Sequence, residues 1–144
     1  MFKKILYPTD FSDVANSALD FIKQLKEAGA EEVVILHVID KSSLDALAMY
    51  TSKDFLQIEK DWEANAASQM SSIADELKEA GLEVKVRIEN DIPFRGILKV
   101  EEDEDVSVIV LGSHGVSNIQ EMLLGSVSEK VIRKAKKPVL VVKR

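Results

Sequence analysis

Cysteine is absent from all 144 positions, which excludes disulfides, thiolate metal sites and a cysteine nucleophile. That fits a reducing interior. Histidine occurs only at His37 and His114, neither beside acidic neighbours, so the histidines outline no metal site. No apolar run approaches the length of a membrane span. Met1 to Pro8 is too short in its apolar part for a signal peptide. The expectation is a soluble cytoplasmic protein with no membrane partner. Positive charge is also in deficit: 19 Lys and Arg against 25 Asp and Glu leave a formal charge of −6. Such a balance argues against nucleic acid or an anionic membrane as the main partner. Several catalytic signatures are missing as well. There is no G-x4-G-K-[ST] and no G-x-G-x-x-G after the first apolar run. Ser113-His114 is not a nucleophile elbow, because G-x-S-x-G is lacking.

What is present reads as one globular domain over 1–144, able to bury roughly 70% of its unfolded surface. Lys4-Ile5-Leu6-Tyr7 is a short apolar run stopped by Pro8, hence a first strand. Apolar positions from Phe11 to Leu25 recur every three or four residues, with Ser12 or Asp10 as cap and Gly29 at the end, hence a helix. Val33 to Ile39 is apolar on both faces, as a central parallel strand should be. Asp40 to Ser52 reads as a polar loop with at most one helical turn at Leu44 to Met49. The stripe from Phe55 to Ala80 predicts a long helix with Trp62 in its core face, ended by Gly81. Leu82 to Glu89 alternates strictly, as a strand near an edge does. Asn90-Asp91-Ile92-Pro93 opens a short helix. The acidic run Glu101 to Asp105 reads as a solvated helix end. Val106 to Leu111 is a fourth strand, and a helix carrying Val127, Val131, Ile132 and Ala135 leads to a fifth, Pro138 to Val142.

This alternation predicts an α/β, doubly wound, three-layer sandwich with a five-stranded parallel sheet in the order 3-2-1-4-5. Ligands of such sheets bind where the order reverses, beyond the strand carboxyl ends. The loops there are Pro8-Thr9-Asp10 and Gly112-Ser113-His114-Gly115. A response-regulator receiver shares the fold class, but it wants a lysine after strand five. Here Lys137 precedes that strand, and the sequence stops at Arg144.

Gly112 and Gly115 can take positive φ and let a phosphate approach backbone N–H groups. Gly125-Ser126 opens the last helix, whose free amides and dipole attract the same anion, and the Ser126 hydroxyl adds a donor. The alternative is that these glycines only make turns and cap a helix. Asp10 is either a helix cap or a ligand. His114 either touches a phosphate or points to solvent, and His37 reads as a hydrogen-bonded buried histidine.

Gly112, two residues, Gly115, nine residues, then Gly125-Ser126 resembles the G-x2-G-x9-G-[ST] pattern of nucleotide-binding universal stress proteins. Lys4 to Asp10, Leu36-His37-Val38-Ile39, Leu124 to Val131 and Pro138 to Val142 resemble other segments of that family, so the likeness spans the chain. It implies a Rossmann-like, adenine nucleotide alpha hydrolase-like fold. It also implies ATP with its phosphates on Gly112, Gly115, Gly125, Ser126 and the Val127 backbone. Adenine would lie beside the Val38 backbone, with Asp10 near the ribose or a magnesium ion. Pro8, Thr9, Ser113 and His114 complete the candidate site. Related sequences often carry Arg-Gly after the second motif glycine; Val116-Ser117 stands here, which leaves ATP, ADP and AMP open. The function implied is a stress-response switch or sensor without efficient catalysis. Slow magnesium-dependent ATP hydrolysis through Asp10 is one alternative, and a nucleotide-free dimeric module is the other. The fifth strand, Val139-Leu140-Val141-Val142, would lie bare at the sheet edge, so a homodimer paired through it is expected.

Overall fold

Strand and helix alternate along the computed structural model, which describes residues 1–50, 54–113 and 125–143, the side chains of Asp13 and Val14 excepted. The strands are β1 (Lys4–Pro8), β2 (Glu32–Asp40), β3 (Glu83–Asp91), β4 (Val108–Gly112) and β5 (Val139–Val142). Between them run α1 (Asp13–Leu25), α2 (Lys41–Tyr50), α3 (Phe55–Glu79), α4 (Pro93–Glu104) and α5 (Ser126–Lys134). All strand pairs are parallel and the order is β3-β2-β1-β4-β5, as the alternation requires.

Successive strand residues point to opposite faces, so the apolar strands feed two separate cores. Ile5, Tyr7, Val33, Ile35, Val108 and Val110 face α1 and α3, meeting Ala18, Ile22, Met70 and Leu77. Leu6, Val34, Leu36, Ile109 and Leu111 face the other layer, meeting Ile97, Val100 and Val131 of α4 and α5. The helices therefore leave β1 and β4 toward opposite faces.

Two expectations need correction. Asp40 to Tyr50 is not a loop. Asp40 accepts from the Ser42 amide at 3.1 Å and from the Ser43 hydroxyl at 3.1 Å, so the serines form the first turn of α2. Leu44 is buried and seals a small satellite core with Ile39 and Ile58, against which Trp62 packs. Thr51 and Ser52 lie outside the described residues.

Nor is the acidic run simply a solvated helix end. Glu101 is 3% exposed and accepts from the Lys136 amide at 3.1 Å and the Lys137 amide at 3.2 Å, tying α4 to the turn before β5. Glu104 meets Lys85 at 2.8 Å, Arg87 at 3.1 Å and Lys4 at 3.3 Å. The Lys85 hydrogen bond, with those of Lys4 and Arg87, holds the Glu104 carboxyl below its ordinary value. A lowered folded pKa means stability that is present above the unfolded value and lost as pH falls through the folded one. Glu104→Gln should cost about 1–2 kcal/mol at neutral pH, and the mutant's stability should fall less steeply on acidification below about pH 4.5. Urea unfolding at several pH values checks this; parallel acid limbs would refute it.

Candidate functional site

The crevice sits where β1 and β4 run side by side, in the register Ile5 to Val108 and Leu6 to Ile109. α1 covers one face of the sheet and α5 the other, so the β1–β4 junction is the topological switch point, beyond whose strand carboxyl ends ligands of such sheets bind.

The β4 side is built on Gly112, Ser113 and the start of α5. Ser113 is 2% exposed, and its amide donates to the Val142 carbonyl at 2.9 Å. Its carbonyl accepts from the Gly125 amide at 2.7 Å, so the end of β4 meets the N-cap of α5. The buried Ser128 hydroxyl donates to the Gly112 carbonyl at 2.7 Å, fixing the first turn of α5 against the strand. Gly125 supplies no side-chain cap, leaving the early amides of α5 and the exposed Ser126 at this corner. Val127 packs into the α4–α5 core. The positive φ expected at Gly112 is not found there, whereas Gly125 opens α5 as expected, with φ −64. His114 and Gly115 lie outside the described residues.

The β1 side is a tightly bonded turn. The Thr9 amide donates to the Leu36 carbonyl at 2.8 Å and its carbonyl accepts from His37 Nδ1 at 2.8 Å. The Thr9 hydroxyl oxygen accepts from the Phe11 amide at 3.0 Å, so this buried residue shapes the loop with all its polar groups. Asp10 is exposed, and its Oδ1 accepts from the Ser12 amide at 3.0 Å. Ser12, not Asp10, caps α1, accepting from Ala15 at 3.3 Å. Beneath the loop the Tyr7 phenol donates to the Ala15 carbonyl, and burial pushes its pKa well above the ordinary value, so it remains a donor.

Val38 lies near the end of β2, its side chain against the α4–α5 core. Two contributors escaped the sequence reading. A Cβ at Gly96 would sit 2.8 Å from Val38 Cγ2, so this glycine lets α4 press onto the strand at Val38. Ser128 gave no signal because its partner is a backbone carbonyl. Among the described residues no group of three or more His, Asp or Glu is placed to hold a metal ion. Asp10 alone fits only as one ligand of an ion whose other ligands come from elsewhere. Among them, too, no helix is long and apolar enough to cross a membrane.

A model described as the Universal stress protein family matches residues 1–143. Universal stress protein MJ0577 of Methanocaldococcus jannaschii is 44% identical over 156 aligned residues, covering 100% of this chain and 96% of that protein. The solved structure of MJ0577 superposes with a TM-score of 0.90 at 46% identity, covering 100% of this chain and 97% of that one. A family member from Arabidopsis thaliana, solved with AMP bound, has a TM-score of 0.67 at 17% identity, covering 99% and 92%. That identity carries the fold alone. On the family match and the 44% relative, this chain belongs to the universal stress protein family.

Proposed function

We propose that the protein binds an adenine nucleotide, ATP, ADP or AMP, at the β1–β4 crevice and acts as a regulatory switch or sensor rather than an efficient enzyme. The observation that carries this reading is the 2.7 Å bond from the Gly125 amide to the Ser113 carbonyl. It draws two parts of a glycine-spaced phosphate motif to one corner, where the amide end of α5 favours an anion. In this reading the phosphates lie on Gly112, Gly115, Gly125, Ser126 and Val127, adenine beside Val38, and Asp10 toward the ribose or magnesium. The AMP of the Arabidopsis protein agrees with the ligand class.

Calorimetric titration with each nucleotide, with and without magnesium, tests it. Binding of at least one with a Kd below about 100 μM, an affinity near −5.5 kcal/mol, is expected. No heat with any of the three rejects it. Magnesium should strengthen binding only for nucleotides with two or more phosphates, since the ion in this reading takes its remaining ligands from the phosphates and Asp10.

The proposed assembly is a homodimer through β5. Leu140 is 37% exposed on an apolar strand at the sheet edge, where a second copy would cover it. Light scattering should give twice 16.0 kDa at micromolar concentration, and Leu140→Glu should return the monomer mass. A wild-type monomer sinks the assembly but leaves the nucleotide reading intact.

A further inference from the structure

Phe11 has φ +66, a left-handed conformation that a bulky side chain adopts at a cost. It follows Asp10 directly. Strain of this kind survives only where surrounding contacts over-determine it. Here they can be named. The Phe11 amide is held by Thr9 Oγ1 at 3.0 Å, and its ring stacks on the His37 imidazole with centroids 4.7 Å apart and planes inclined by 28°. His37 Nδ1 lies 2.8 Å from the Thr9 carbonyl. A carbonyl only accepts, so Nδ1 carries the hydrogen and the ring is locked in one tautomer. One imidazole thus grips both residues flanking Asp10: Thr9 through its carbonyl and Phe11 through its ring. The Asp10 carboxylate adds a further clamp by accepting from the Ser12 amide at 3.0 Å.

We infer that His37 is a positioning residue: it holds the strained Thr9–Phe11 turn and thereby sets where Asp10 meets a ligand in the crevice. The inference rests on the nucleotide reading for its ligand but not for the grip itself. His37 stands between Leu36, whose carbonyl receives the Thr9 amide, and Val38, the proposed neighbour of adenine. The histidine therefore links the β1 loop and the β2 end into one rigid wall. Without it, Phe11 loses its ring contact and Thr9 its carbonyl bond, the remaining Thr9 Oγ1 bond no longer offsets the strain, and Phe11 relaxes to negative φ and turns Asp10 away.

The test combines amide exchange with a double-mutant cycle. In His37→Ala, the Phe11 amide should lose protection by about tenfold or more, while the β1 amides Ile5 to Tyr7 keep theirs. Binding of AMP, ADP and ATP should weaken about tenfold, as should binding by Asp10→Ala. His37→Ala in the Asp10→Ala background should then cost nothing further, because the imidazole acts through that carboxylate. His37→Asn places an N–H donor where Nδ1 was but has no ring for Phe11, so it should recover part of both effects. An unchanged Phe11 amide or unchanged affinity in His37→Ala overturns the inference, and so do additive losses in the double mutant. Should His37→Ala fail to fold, the same readings are taken on His37→Asn, where a partial loss of Phe11 protection and of affinity that vanishes in the Asp10→Ala background supports the inference, and wild-type values or losses without coupling to Asp10 overturn it. If the wild type binds none of the three nucleotides, the proposed function fails. The exchange of Phe11 then still decides the grip: loss in His37→Ala supports it, retention refutes it.

Discussion

Replacing Glu101 by alanine is expected to lower stability by about 2–3 kcal/mol, more than the loss expected for Glu104→Gln. The carboxylate is 3% exposed and accepts from two successive amides, those of Lys136 and Lys137. Charge-assisted bonds of this kind are worth about 1.5–3 kcal/mol each before the cost of burying the charge is deducted. Truncation removes both at once and orphans two donors in the turn that delivers the chain to β5. Water reaches that turn, since Lys136 is exposed, which keeps the loss below the sum of the two bonds. Glu101→Gln keeps one acceptor oxygen but turns an amide donor toward the same N–H groups, so it should cost about half as much. For a chain of this size 2–3 kcal/mol corresponds to a Tm lowered by about 6–12 °C. Thermal unfolding of the three proteins checks the order, and Glu101→Ala within about 0.5 kcal/mol of wild type would refute it. The same turn feeds the edge strand proposed as the dimer seam, so dimer dissociation should follow the same ranking.

The architecture was legible because it rests on periodicity. Strands apolar on both faces, from Val33 to Ile39 and Val106 to Leu111, announce a sheet covered on both sides, and the 3.6-residue stripes of α1 and α3 announce the covers. Parallel pairing and strand order follow from alternation and handedness. What stayed hidden depends on partners distant in sequence or on backbone groups. Glu101 finds its amides 35 and 36 residues away, and an isolated acidic run carries no mark of them. Ser42-Ser43 resembles a loop until Asp40 is seen to accept from both residues. At the candidate site, the glycine spacing led to an expectation of positive φ at Gly112 and Gly115; Gly112 does not adopt it, and Gly115 lies outside the described residues. Gly125 offers the N-cap of α5 without a side chain, and the β1 loop residue that adopts positive φ is Phe11, which no composition rule would select. Thr9 reads as a ligand from its position in the loop, yet its polar groups are bonded within the protein.

Gly96→Val is the second large effect, about 3 kcal/mol, because the helix and strand already touch. A Cβ at this position would lie 2.8 Å from Val38 Cγ2 and 3.0 Å from Cγ1. Rotation of Val38 about χ1 cannot clear the space, since two of its three staggered positions carry methyl groups and one remains in the way. Gly96 and its neighbours Ile97 and Val100 are buried, so α4 cannot tilt without opening the core it shares with Leu36 and Val131. Replacing a helical glycine regains only part of the loss, about 0.5 kcal/mol. Val38→Ala alone should cost about 1–2 kcal/mol by leaving a cavity. Combined with Gly96→Val it should do better than the sum by about 2 kcal/mol, the new methyls occupying the space of the old. Additive destabilisation would show that α4 and β2 do not meet there. The double mutant also separates packing from the site: with the core refilled, a nucleotide affinity that recovers alongside stability means that Gly96 serves only to seat Val38. Stability recovered without affinity means that the spacing of α4 from the end of β2 itself shapes the proposed adenine side of the site.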